Sequence, residues 1–221
     1  MEKIKKNLIH FFYKKKSRRK LSQKQIRLLK KNLKKFIFKK QNNNNKKIFL
    51  EVGFGYGDNL LFIAKKNIDK LILGCEVYEP GIANLLNKID LENIKNIMIY
   101  PENIFSLFKK IKKNSIDKIF ILFPDPWPKK RHFKRRLISP FFLKEINKIL
   151  KKKGIIFIST DSKDYLEVIL KNFLFNENFF WLNGKVNDCY IRPTFINESK
   201  YEKKAKIKGN KIYYLKFKKI C

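Results

Sequence analysis

Three prolines enclose one acid and one tryptophan in Phe123-Pro124-Asp125-Pro126-Trp127-Pro128. A basic run, Lys129-Lys130-Arg131-His132-Phe133-Lys134-Arg135-Arg136, follows at once. Proline fixes φ, so the Asp125 carboxylate and the Trp127 ring must project in set directions. A fixed acid and a flat aromatic beside six Lys or Arg in eight residues suit an unstacked base on a phosphate-bearing strand. The same composition also fits a proline-rich loop that ends in a solvated charge run. His132, one of two histidines, is disfavoured as a cation among these neighbours and is given no catalytic role.

A second constellation is Glu51-Val52-Gly53-Phe54-Gly55-Tyr56-Gly57. Glycines here allow a sharp turn and let a ligand approach the backbone. The spacing is GxGxG rather than the GxGxxG of a dinucleotide site. The acid in front of it, Glu51, suits a ligand that carries an amine or a sulfonium better than one that carries a pyrophosphate. A tight strand-to-helix turn without a ligand is the plain alternative. Glu76 stands where an acid can accept hydrogen bonds from both ribose hydroxyls of an adenosine, with Glu79 as a rival. Asn103 can bond an adenine edge or cap a helix.

These groups need elements to hold them. Apolar runs at 48–52, 71–77, 96–100, 116–123 and 154–160 alternate with helical segments at 59–66, 81–89, up to 107, 140–150 and 165–174. Continuous apolar strands separated by helices predict a parallel sheet covered on both faces. Two further strands are expected at 179–182 and 212–217, joined by a polar, basic loop over 183–211. Ser22 can cap a helix that runs to about Lys39, with Ile26, Leu29, Leu33 and Phe36 or Ile37 on one face. Asn42 to Asn45 read as a linker. The expected division is a basic arm at 1–46 and a catalytic domain at 47–221.

The chain has 221 residues and a net charge of +34, with 46 of its 53 basic residues being lysines. Such a charge attracts polyanions, nucleic acid first and an anionic membrane second. An A/T-rich genome would also enrich lysine, asparagine and isoleucine with no partner involved. Cys75, Cys189 and Cys221 are far apart and form no CxxC pair, so neither a zinc site nor a disulfide framework is expected. Cys75, in an apolar run, reads as a small buried side chain. The short apolar run Ile9 to Tyr13, flanked by lysines, is too short for a signal peptide or a membrane span. The expected location is the cytoplasm.

On these residues the chain resembles the bacterial tRNA (guanine-N7)-methyltransferase family, from about Leu21 to the C-terminus. The matching stretches are 50–57, Gly74-Cys75-Glu76-Val77-Tyr78, 123–132, Lys134-Arg135-Arg136, Ser159-Thr160-Asp161 and Ser199-Lys200-Tyr201-Glu202. The resemblance implies an α/β, Rossmann-like class I methyltransferase fold, a seven-stranded mostly parallel sheet with helices on both faces. It implies S-adenosylmethionine as donor, no metal, and a guanine in the tRNA variable loop as acceptor. Glu51, Glu76, Asn103 and Asp125 would contact the donor, beside Gly53 and Gly55 of the turn. Asp125 would be the catalytic residue. Lys129, Asp161, Ser199, Lys200, Tyr201 and Glu202 would contact the tRNA. The family often has Asp where Asn103 stands and usually Thr where Ser199 stands. No membrane or obligate protein partner is implied. Rival expectations are a methyltransferase with another substrate, a non-catalytic RNA-binding protein and a nucleotide-linked oxidoreductase.

Overall fold

The computed structural model describes residues 20–40 and 46–220. The helices are α1 (Gln23–Lys31), α2 (Leu33–Phe36), α3 (Asp58–Lys66), α4 (Glu79–Leu91), α5 (Ile104–Phe108), α6 (Pro140–Ile149), α7 (Lys163–Leu174) and α8 (Lys200–Ile207). The strands are β1 (Ile48–Val52), β2 (Leu71–Cys75), β3 (Ile97–Tyr100), β4 (Ile116–Leu122), β5 (Leu150–Thr160), β6 (Phe179–Trp181) and β7 (Tyr213–Lys219). They form one seven-stranded sheet in the order β3-β2-β1-β4-β5-β7-β6. Neighbours from β3 to β5 pair parallel, and β7 runs antiparallel to both β5 and β6. This is the seven-stranded, mostly parallel α/β sheet that the resemblance implied.

β1 is buried along its whole length, as a central strand covered on both faces must be. On one face Leu60 and Ile63 of α3 and Ile82, Leu85 and Leu86 of α4 pack on Phe49, Ile72 and Phe120. On the other face Leu107, Phe142, Ile146, Ile169 and Phe173 from α5, α6 and α7 pack on Leu50, Leu73, Ile119 and Ile156. Each such fully buried aliphatic or phenyl group contributes about 1.5–3 kcal/mol. Cys75 and Cys189 are both buried thiols.

The N-terminal helix departs from its expected length. Ser22 caps α1 in a reciprocal capping box with Gln25, but the helix breaks at Asn32 and α2 stops at Phe36. Ile37 then bridges Ile99 in parallel, and the Phe38 amide donates to the Ile99 carbonyl at 2.8 Å. An edge strand with unpaired backbone groups outcompetes another helical turn there. Leu29, Leu33 and Phe36 pack on the α3–α4 core. The asparagine stretch 42–45, the run 9–13 and Cys221 lie outside the described residues. Among the described residues no helix is long and apolar enough to cross a membrane.

The segment 183–211 is not the plain loop expected. It holds a 3-10 turn at Val186–Tyr190 and the two-turn helix α8. Ser199 caps α8, its hydroxyl accepting from the Glu202 amide at 3.1 Å.

Candidate active site

The strand order reverses between β1 and β4, and in open α/β sheets that switch point leaves a crevice at the carboxyl ends of the strands. Glu51 on β1 is in register with Phe120 on β4. The glycine turn after β1 and the proline loop after β4 therefore meet across this crevice. Gly53, Gly55 and Gly57 all have positive φ, at 74°, 59° and 81°. A Cβ at Gly53 would meet nothing within 4 Å, so the turn presents bare backbone to open space. A Cβ at Gly81 would lie 2.0 Å from the Gly55 carbonyl oxygen. Only glycine lets the start of α4 press this closely on the turn.

Glu76 ends β2 at Cys75 instead of Val77 because its carboxylate takes the next amides. Oε1 accepts from the Val77 and Tyr78 amides at 2.7 and 2.9 Å, and Oε2 accepts from the Gly55 amide at 2.7 Å. Its rival Glu79 opens α4. Glu51 is 3% exposed, and its Oε2 accepts from Asn59 Nδ2 at 3.1 Å. Burial raises its pKa from 4.5 to about 8; the Asn59 bond opposes the shift and the charges of Glu76 and Asp58 add to it. Among the described residues Glu51 forms no ion pair. A desolvated acid beside an open glycine turn fits the cationic amine or sulfonium of S-adenosylmethionine.

The folded protein holds the Glu51 proton more tightly than the unfolded chain does. That stabilisation is complete below about pH 4.5 and is lost as pH rises through about 8, at roughly 1.4 kcal/mol per pH unit at most. Thermal melts of ligand-free protein should therefore fall more steeply from pH 5 to 9 for wild type than for Glu51→Gln. Parallel curves would mean that Glu51 is not desolvated.

The proline loop is held in an unusual shape. Phe123 and Trp127, on either side of Asp125, have φ of 52° and 44°, a region costly for bulky residues. Several contacts enforce it. The Phe123 amide donates to the Ser159 carbonyl at 2.8 Å. Arg136 Nε donates to the Pro126 carbonyl at 2.8 Å, and its guanidinium pairs with Asp164. The same guanidinium lies 3.9 Å from the Phe133 ring centre and 5.1 Å from that of Tyr165. Trp127 meets the edge of His132 at 5.6 Å and Arg135 at 4.9 Å. Arg136 is 4% exposed, so this member of the basic run serves the loop from inside. Lost solvation, then Arg135 and Arg131, hold the His132 pKa below its usual 6.5.

Asp125 is exposed on the loop. Its charge reaches two hydroxyls. Burial first, then Asp125 and Glu76, raise the pKa of Tyr201. Burial also pushes Tyr165 up to about 12, with Asp125 contributing. Tyr201 therefore lies within electrostatic reach of both acids. Tyr201 Cε2 stands 3.9 Å from where a Gly55 Cβ would be. Lys200 Nζ sits 3.3 Å over the Tyr56 ring, which meets Tyr78 edge-on. The N-terminal turn of α8 thus covers the glycine turn.

The remaining expected residues lie on other elements, Asn103 as the helix cap that was one of its two expected roles. Asn103 caps α5, its Oδ1 accepting from the Phe105 amide at 2.8 Å. Asp161 accepts from Asn210 Nδ2 at 3.1 Å, and Lys129 is exposed at the start of the 3-10 turn Lys130–Arg135. Glu202 is 1% exposed, with Arg192 Nε and Lys206 Nζ each 3.2 Å from its carboxylate. It lines a cleft of about 420 Å³ with Arg192, Lys206, Lys211 and Tyr214. No residue of the glycine turn lines that cleft. Glu202 anchors α8 from below while Tyr201, one position earlier, faces the turn. Arg136, Arg192, Tyr56 and Asn59 are site-shaping residues that the sequence did not single out.

The profile of the family described as "Putative methyltransferase" matches residues 45–215. A tRNA (guanine-N(7)-)-methyltransferase of Wolbachia pipientis wMel is 37% identical over 177 residues, 77% of this chain and 74% of that protein. One from Buchnera aphidicola subsp. Baizongia pistaciae (strain Bp) is 40% identical over 174 residues, 78% of this chain and 72% of that protein. A "putative methyltransferase" from Streptococcus mutans, solved in complex with SAH, superposes with a TM-score of 0.52 at 15% identity. That match covers 90% of this chain and 100% of the other, and establishes the class I methyltransferase fold. With the glycine turn, the proline loop and α8 gathered at one switch point, the chain belongs to the tRNA (guanine-N(7)-)-methyltransferase family.

Proposed function

We propose that this chain transfers a methyl group from S-adenosylmethionine to N7 of a guanine in the tRNA variable loop, forming 7-methylguanosine. The observation that carries this reading is the pair of acids across the β1–β4 crevice. Glu51 is buried beside the open glycine turn, and Asp125 stands between prolines on the loop that follows β4, the strand paired with β1. The names of the relatives and the SAH bound to the S. mutans structure support it.

S-adenosylmethionine, when bound, supplies an electrophilic methyl carbon. Guanine N7 has an in-plane lone pair and no hydrogen, so no residue has to remove a proton. The N–C bond forms as the C–S bond breaks; sulfur keeps the electron pair and the base gains the positive charge. The protein must then align the partners and stabilise that charge. Glu51 attracts the donor's cationic end, Gly53 and Gly55 admit it to the backbone, and the one acceptor position that the three backbone amides leave on the Glu76 carboxylate takes a ribose hydroxyl. Asn103, at the carboxyl end of β3, borders the adenine. Asp125 faces the methyl group and offsets the charge that grows on guanine. Asp161 and the turn Ser199-Lys200-Tyr201, anchored by Glu202, form the tRNA side.

Lys129 and Arg131 hold phosphates in this reading, and the basic residues of 1–46 extend the footprint. Removing both side chains, Lys129→Ala with Arg131→Ala, should weaken tRNA binding. It should also reduce the slope of log K against log salt by roughly 2. Binding of S-adenosylhomocysteine should not change. An unaltered slope would take these residues out of the interface. A tRNA substrate puts this work in the cytoplasm.

The reading is tested by incubating the protein with unmodified tRNA and labelled donor and then locating the label. The expected product is 7-methylguanosine at one variable-loop guanine. Label at another base, or in protein alone, would overturn it.

A further inference from the structure

Asn59, in the first turn of α3, is 4% exposed and touches both halves of the site. Its Nδ2 donates to Glu51 Oε2 at 3.1 Å. Its Oδ1 accepts from the backbone amide of Asn197 at 2.9 Å, across 138 residues of sequence. A backbone N–H can only donate, so the oxygen must face Asn197 and the NH₂ must face Glu51. A primary amide meets both demands at once.

Asn197 stands two residues before Ser199, the cap of α8. The segment that leads there is itself fixed. Ile196 is buried in the α3–α4 core, and Phe195 packs on Phe157 at 4.6 Å. Arg192 Nη1 donates to the Ile196 carbonyl at 2.9 Å, and Arg192 also pairs with Glu202 of α8. The Asn59 side chain is therefore a direct hydrogen-bonded bridge between the buried acid on β1 and the strap that sets where α8 begins.

We propose that Asn59 is a positioning residue that couples the two substrates: methyl donor held at Glu51 and tRNA held at the N-terminal turn of α8 each strengthen the binding of the other. This rests on the donor and tRNA assignments above. When the donor's cation meets Glu51, the carboxylate is fixed as an acceptor and the Asn59 amide is fixed with it. Its oxygen then holds the Asn197 amide more firmly, which steadies the point from which α8 starts. Coupling free energy is reciprocal, so tRNA must tighten donor binding by the same factor by which donor tightens tRNA.

The test is calorimetric titration of S-adenosylhomocysteine into the full chain, alone and with saturating unmodified tRNA. Wild type should bind at least about 5-fold more tightly with tRNA present, the lower end of typical coupling. Asn59→Leu and Asn59→Asp should bring that ratio to within about 2-fold of unity. A merely structural loss would lower Tm and both affinities without changing their ratio. The second measurement needs no variant. Hydrogen exchange of the Asn197 amide in wild type should slow when S-adenosylhomocysteine is added. A folded Asn59→Leu protein with the wild-type ratio would overturn the proposal, as would unchanged exchange at Asn197. So would a wild type that binds both ligands with no coupling, an outcome that leaves the donor and tRNA assignments standing. A wild type that binds no S-adenosylhomocysteine at all would instead remove the assignment on which the proposal rests.

Discussion

Asp125→Ala should lower kcat for methylation of unmodified tRNA roughly 10²- to 10³-fold, the range seen when one preorganised charge-stabilising group is removed. That corresponds to about 3–4 kcal/mol of lost transition-state stabilisation. The expectation follows from the chemistry and the setting together. The acceptor needs no base, so the loss is electrostatic, and it should appear in kcat more than in tRNA affinity. Asp125 is exposed, and on either side of it the Phe123 amide bonds the Ser159 carbonyl and Arg136 bonds the Pro126 carbonyl. The variant should therefore melt within about 0.5 kcal/mol of wild type. Asp125→Asn separates charge from shape and should lose nearly as much as alanine. A single-turnover rate within 3-fold of wild type in a folded Asp125→Ala protein would remove Asp125 from the chemistry.

Arg136→Met should be the most damaging change within the basic run, lowering stability by about 2–4 kcal/mol. The arginine is 4% exposed, and its loss leaves the Pro126 carbonyl without its 2.8 Å donor. An abandoned acceptor costs about 1–3 kcal/mol when fully buried and less at this half-buried carbonyl, and packing against Phe133 and Tyr165 is lost besides. Asp164 is more than half exposed at its side chain, so its stranded charge returns to water and adds little. Lysine should rescue poorly, because it cannot donate sideways to Pro126 while pairing with Asp164. For a chain of this size the loss shifts Tm by roughly 5–15 °C. Catalysis should also fall in the folded fraction, since Pro126 follows Asp125 directly. Lys130→Met, at an exposed position of the same run, should change Tm by less than about 2 °C. Equal melting of the Arg136 and Lys130 variants would contradict this account of the loop.

The sheet was legible in the sequence because buried parallel strands are continuous apolar runs. The glycine turn and the proline loop were legible because only backbone demands explain three glycines or three prolines at such spacing. What escaped was decided by long-range contacts. α8 is dense in lysine and buries only Glu202 and Ala205, so it has almost no apolar stripe to read. Its one local cue was Ser199 with Glu202 three residues on, the order of a capping box. The sequence pattern overextends the first helix because Ile37 and Phe38 continue an apolar stripe that the edge of β3 claims instead. Arg136 is identical in type to Arg135, and only the packing of Tyr165 and Asp164 around it tells them apart. Glu202 was marked by resemblance as a substrate contact, and its ion pairs with Arg192 and Lys206 became visible only with the fold. Asn59 gave no signal, because its partner is 138 residues away.

The most direct test is a crystal structure of the protein with S-adenosylhomocysteine bound. The ligand should lie in the β1–β4 crevice, its amine toward Glu51 and its ribose on Glu76. The Asp125 carboxylate should face the sulfur across a gap wide enough for one purine. A ligand bound elsewhere, or an Asp125 side chain turned into solvent away from the sulfur, would contradict the account.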